Sequence, residues 1–118
     1  MSRVKALVTE VKKNIKELSV DDVHRMQADG TDFVLVDIRD ESEWAVGYLP
    51  NALHLTRGKL EFLIEGAIPD INSKVVLYCG GGSRSALSAD SLQKMGYTDV
   101  YSMAGGYRGW QEAGTELV

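Results

Sequence analysis

The chain contains one cysteine, Cys79, among 118 residues. A single thiol excludes an intramolecular disulfide and points to a reducing compartment. Histidine is almost as scarce. His24 and His54 stand apart, no cluster has metal-ligand spacing, and both are read as structural. No metal or other cofactor is expected. No apolar run approaches the roughly 20 residues that span a bilayer. The early lysines are not followed by a continuous apolar segment, so no secretory signal is read. Positive charge is in deficit, with 13 Lys and Arg against 17 Asp and Glu and a net charge of -4. That balance argues against nucleic acid as a partner, while leaving room for a locally positive pocket. Repeats, low-complexity tracts and linkers are absent. A cytoplasmic location and one domain follow as expectations, and a hydrophobic content of 44% suits an ordinary globular core.

What is present alternates between two periods. Val4, Leu7, Val8, Val11 and Ile15 recur at helical spacing, with charged residues between them. They predict an amphipathic helix over residues 1–14, ahead of a domain over 15–117. Ile15 to Leu18 reads as a short edge strand. Ser19 reads as the N-cap of a helix to Ala28, which Gly30 stops. Phe33 to Asp37 is a near-continuous apolar run, the pattern of a strand buried on both faces. Asp40 or Ser42 caps a short segment ending near Gly47, and Pro50-Asn51 is a turn. Ala52 to Leu55 reads as a strand, Lys59 to Ile64 as a helix and Val75 to Tyr78 as a second buried strand. A helix over Arg84 to Met95, C-capped by Gly96, a strand over Asp99 to Ser102, a Gly105-Gly106 turn and a helix over Tyr107 to Ala113 complete the chain. Alternating strands and helices predict an α/β domain with a mainly parallel sheet flanked by helices. Ligands of such sheets sit outside the carboxyl ends of the strands.

Cys79 stands at such an end. Gly80, Gly81, Gly82, Ser83, Arg84 and Ser85 follow it and lead into a helix. Glycines let backbone amides turn inward. The helix N-terminus and Arg84 add positive charge. Each favours an anion, so Cys79 is read as a thiolate rather than an inert core thiol. Arg84 has two readings, attraction of an anionic substrate or an ion pair that orders the loop. Ser83 and Ser85 are either hydroxyl donors or helix caps. Asp37 and Arg39, after a buried strand at the same sheet edge, are read as loop braces. Arg57 is read as a solvated surface residue, and Trp44 and Trp110 as packing residues.

Four blocks resemble the rhodanese-like domain, specifically the single-domain sulfurtransferases. They are Leu35 to Arg39 with Glu43 and Trp44; Gly47 to Ala52; Tyr78-Cys79 through Arg84-Ser85; and Gly105-Gly106-Tyr107 with Trp110. The second block departs from the usual Gly-His-Ile-Pro-Gly-Ala at Tyr48 and Asn51, which are turn and packing positions. The loop lacks the extra basic residues of some thiosulfate-preferring members, which leaves the preferred donor open.

The resemblance implies a sulfurtransferase. Cys79 takes a sulfane sulfur from thiosulfate or a persulfide donor, and passes it to a thiol or cyanide, or to a protein acceptor. Gly80 through Ser85 then form the substrate-binding loop. One alternative is a sulfur carrier or regulatory module that delivers persulfide to a protein partner, with the N-terminal helix suited to docking. Another is an arsenate reductase or phosphatase. Those relatives carry Cys-x5-Arg, whereas only four residues separate Cys79 from Arg84.

Overall fold

Residues 2–114 and 117 are described by the computed structural model. The elements run α1 (Arg3–Lys12), β1 (Lys16–Leu18), α2 (Val20–Asp29), β2 (Val34–Asp37), α3 (Glu41–Val46), β3 (Leu53–His54), α4 (Leu60–Ala67), β4 (Lys74–Tyr78), α5 (Ser83–Lys94), β5 (Asp99–Met103) and α6 (Gly106–Glu112). The five strands form one parallel sheet in the order β1-β5-β4-β2-β3. The expected α/β architecture is the one observed. The expected domain span to 117 includes Thr115 and Glu116, which lie outside the described residues.

Alternation along β4 divides the core in two. Val75, Leu77 and Cys79 face one side with Leu60 and Ile64 of α4 and Ala89 and Leu92 of α5. Val76 and Tyr78 face the other with Val23 of α2 and Trp110 of α6. Burial on both faces is why β2 and β4 read as unbroken apolar runs. β4 is the central strand, so its carboxyl end opens at the middle of the sheet edge. After β3 the chain crosses over β2 to add β4 and then β5 on the opposite side, so the topological switch point lies between the carboxyl ends of β2 and β4.

The local signals act as their chemistry suggests. Ser19 caps α2 in a reciprocal capping box with Asp22. Gly30 ends that helix at φ 76. Asn51 adopts φ 66, the left-handed region asparagine tolerates better than most residues. The resembling family more often has glycine there. Three expectations need correction. Ile15 lies beyond the end of α1 and packs against the α4 and α5 side of the core. β3 is only two residues long, because an edge position limits its pairing to β2. The C-cap of α5 is Met95, with Gly96 one residue beyond it at φ 104. α1 buries Val8 and Val11 and leaves Val4 and Leu7 exposed.

Candidate active site

β4 delivers Cys79 to the sheet edge, and α5 begins four residues later. Between them the chain folds around the sulfur. Cys79 is 1% exposed. The Gly82 N–H donates to Sγ at 3.1 Å and the Ser85 N–H at 3.4 Å. Ser85 Oγ lies 3.6 Å from Sγ and 2.7 Å from Ser102 Oγ of β5. With sulfur as an anion, Ser102 donates to Ser85 and Ser85 donates to Sγ. Burial pushes the Cys79 thiol up. The Ser85 hydroxyl and the amides of Ser85, Gly82 and Gly81 pull it down further, and the thiol lies below its ordinary value. The hydroxyl is therefore a measurable part of the thiolate's stability. Ser85→Ala should raise the thiol titration midpoint, weakening the acid constant about fivefold, the scale of one hydrogen bond. An unshifted titration would remove Ser85 from this account.

The loop's shape is held from outside. The first amides of α6 close on its carbonyls: the Tyr107 N–H donates to Cys79 O at 2.8 Å and the Arg108 N–H to Gly80 O at 3.1 Å. With those carbonyls turned away, the loop's own amides are free to face the sulfur. A Cβ on Gly106, which sits at φ 56, would collide with Cys79 O, so this contact requires glycine. Only Gly82 among the three loop glycines needs the left-handed region, at φ 107. Gly80 and Gly81 take no such angle, and the points their Cβ atoms would occupy lie against the ends of flexible side chains. A Cβ on Gly80 would lie 3.2 Å from Arg84 Nη2, and one on Gly81 would collide with Arg108 Nη2.

Arg84 is bound in a fork. Its Nη1 and Nη2 donate to Glu43 Oε1 and Oε2 at 2.9 and 3.1 Å. Glu43 also accepts the Asp40 N–H at the start of α3. Of the two readings of Arg84, this geometry is that of the ion pair. The Arg84 hydrogen bonds hold the Glu43 carboxyl down, from an ordinary 4.5 to about 2. A depressed carboxylate contributes stability above its unfolded value and loses it as pH falls through the folded one. The clamp should hold above about pH 4.5 and weaken progressively towards pH 2. The pair is about a third exposed, so its contribution stays near ~1 kcal/mol. Glu43→Gln should flatten the acid limb of the stability–pH curve. Parallel curves for the variant and the wild type below pH 4.5 would contradict this.

Behind the loop lies a buried polar network. Asp37 is fully buried and Arg39 is 3% exposed. Arg39 donates to both Asp37 carboxylate oxygens at 2.7–3.0 Å and to Gly47 O at 2.7 Å. Tyr78, the residue before Cys79, donates its hydroxyl to Asp37 Oδ2 at 2.6 Å and accepts from the Leu49 N–H. Burial, then the Asp37 hydrogen bond, raise the Tyr78 phenol well above its ordinary value, so it remains a donor. Arg39 also lies over the Tyr107 ring, 4.0 Å from its centroid. Asp37 and Arg39 thus touch both the strand that carries Cys79 and the helix that clamps its loop.

The remaining residues sit at a distance. Arg57 pairs with Glu61 one helical turn away. Trp44 is stacked between Tyr48 and His54, with centroids 3.7 and 4.5 Å apart. Trp110 is buried, with His24 edge-on to it at 5.8 Å. Ser102 and Arg108 were not singled out by sequence reasoning. A serine inside a short strand carries no local signal. Arg108 follows the Gly105-Gly106-Tyr107 block directly, and that proximity was the available clue.

The rhodanese-like domain family matches residues 19–113, with the Cys79 loop and the α6 clamp both inside that span. The chain belongs to this family. It is 36% identical over 80 residues to the thiosulfate sulfurtransferase GlpE of Coxiella burnetii, covering 68% of this chain and 73% of that one. A Rhodopseudomonas palustris protein of unknown function, described as a possible tyrosine phosphatase, has a TM-score of 0.92. It is 35% identical and covers 100% of this chain and 96% of that one. The polysulfide-sulfur transferase homodimer of Wolinella succinogenes has a TM-score of 0.82 at 32% identity, covering 97% of this chain and 85% of that one. The rhodanese-like domain and its sulfurtransferase relatives support sulfur transfer at the level of the family. Among the described residues, no helix is long and apolar enough to cross a membrane.

Proposed function

We propose that this rhodanese-like protein is a sulfurtransferase that works through a persulfide on Cys79. The Cys79 thiolate attacks the outer sulfur of thiosulfate. An S–S bond forms to Cys79, the S–S bond of the donor breaks, and sulfite leaves with its electron pair. Charge balances, three negative before and three after. Cyanide or a thiolate then attacks the terminal sulfur and the Cys79 thiolate departs. This is covalent catalysis with a nucleophile already ionised, so no general base is required.

The single observation that carries the reading is the ring of donors around Sγ: the amides of Gly82 and Ser85 and the Ser85 hydroxyl. Preorganised amides of this kind are worth about 3 kcal/mol each at an oxyanion, and less at a diffuse sulfur anion. In this reading Gly80 through Ser85 hold the persulfide. Asp37 and Arg39 brace the loop through Tyr78 and Tyr107. Intact-mass analysis after incubation with thiosulfate tests it. The expected result is a gain of one sulfur atom, reversed by cyanide. Wild-type protein that gains no mass from thiosulfate or from a persulfide would overturn it.

A second reading, persulfide delivery to a protein, is favoured by a groove of about 420 Å³ beside the loop. Val4, Lys5, Val8 and Thr9 of α1 line it together with Ser83. A carrier would load with sulfur yet turn over cyanide poorly. Phosphatase activity is disfavoured by the four-residue spacing between Cys79 and Arg84, and hydrolysis of an aryl phosphate tests it directly.

A further inference from the structure

The donors around Sγ enclose the sulfur itself, so the anionic remainder of a donor has to rest outside them. Three guanidinium groups are close to the loop. Arg39 is buried on Asp37. Arg84 has both terminal nitrogens on Glu43, and a cation already forked onto a carboxylate offers little further attraction to a passing anion. Arg108 differs. It is exposed, and among the described residues its side chain makes no ion pair and no hydrogen bond.

We propose that Arg108 receives the anionic end of the sulfur donor at the mouth of the Cys79 loop. The proposal rests on the sulfurtransferase reading and identifies the cation that reading leaves open. Position comes first in the argument. Arg108 Nη2 occupies the space over Gly81 that any Cβ there would fill, and Nη1 lies 3.8 Å from the corresponding point at Gly80. These are the two residues directly after Cys79. The location is also fixed by the backbone, because the Arg108 amide is itself bonded to Gly80 O. Its root is anchored to the loop while its planar fork remains free to meet an oxyanion in two-point fashion. Glycine at 81 has a role here that its backbone angles do not explain: it leaves the guanidinium room to lie across the loop. The need for such a cation is clear in a chain whose net charge is -4, since the whole-molecule field repels a dianion.

The test separates anion attraction from thiol reactivity. Cys79 of the wild type and of Arg108→Ala, Arg108→Lys, Gly81→Ala and Arg84→Ala is alkylated with anionic iodoacetate and with neutral iodoacetamide. The rate of sulfur loading from thiosulfate is measured by intact mass at low and high salt. Arg108→Ala should lower the iodoacetate-to-iodoacetamide rate ratio about tenfold, the effect of losing one charge-assisted contact, and leave the iodoacetamide rate unchanged. Loading by thiosulfate should lose apparent affinity rather than maximal rate, and its salt dependence should flatten. Arg108→Lys should retain most of the ratio. Gly81→Ala should reproduce Arg108→Ala in part, by pushing the fork aside. A wild-type ratio and wild-type thiosulfate affinity in Arg108→Ala would overturn the proposal, as would loss of charge selectivity in Arg84→Ala alone. If thiosulfate and persulfides load no sulfur on wild-type Cys79 while the alkylation ratio still depends on Arg108, the anion site stands and the sulfurtransferase reading fails.

Discussion

Cys79→Ser should abolish sulfur loading while leaving the fold in place. Cys79 is the only thiol in the chain, so no second sulfur can take over. The serine hydroxyl is smaller and finds the same donors, the amides of Gly82 and Ser85, already aimed at its position. Its buried oxygen is thus satisfied, and the substitution should cost only about 1 kcal/mol. A neutral hydroxyl with no base beside it does not attack sulfur at neutral pH. Intact mass after thiosulfate treatment should show no added sulfur, and thiosulfate:cyanide turnover should fall to the uncatalysed background. Thermal unfolding should stay within a few degrees of the wild type. Measurable turnover in a folded Cys79→Ser protein would remove the persulfide from the mechanism.

The largest loss of stability is expected from Asp37→Ala. Removing the carboxylate leaves Arg39, 3% exposed, as a buried charge with one remaining acceptor, Gly47 O. It also strips Tyr78 of the partner for its hydroxyl. Breaking one side of a buried pair costs about 3–5 kcal/mol. In a domain of this size that is a fall in Tm of roughly 15–30 °C. Asp37→Asn keeps an acceptor for one neighbour and should fall between the wild type and alanine. Urea unfolding measures both. An alanine variant within about 1 kcal/mol of the wild type would mean that water replaces the carboxylate at no cost, contrary to the burial of the site.

The parts of this molecule readable from its sequence are those whose signal is local. β2 and β4 are runs of buried apolar residues, and burial on both faces leaves no other pattern. Ser19 with acidic residues in the turn that follows is a local helix-start signal, and it starts α2 here. The Cys79 loop was legible because its residues are consecutive. What escaped notice depends on segments distant in sequence. β1 pairs with β5, joining Lys16 to Tyr101 and Leu18 to Met103, and no periodicity within either strand encodes that choice. Glu43 and Arg84 could be named separately, yet their pairing depends on how α3 and α5 meet. The same holds for Ser102, which reaches Ser85 only because β5 lies beside β4. Of the three loop glycines, only Gly82 takes the positive φ that glycine favours. The Arg84 and Arg108 guanidinium groups lie over Gly80 and Gly81, and a single sequence does not show which side chains will come to rest there.

The amides that hold the Cys79 and Gly80 carbonyls belong to Tyr107 and Arg108, late in the chain. During synthesis, Cys79 therefore leaves the ribosome before the residues that orient its loop. β1, made first, likewise waits for β5 to find its only strand partner. Long-range closures of this kind come late in folding, after the entropy of the intervening loop has been overcome. The loop that holds the sulfur is thus clamped only once α6 has folded against it. A nascent chain halted before Gly106 lacks the two amides that hold the Cys79 and Gly80 carbonyls, so its loop has no clamp until α6 is made.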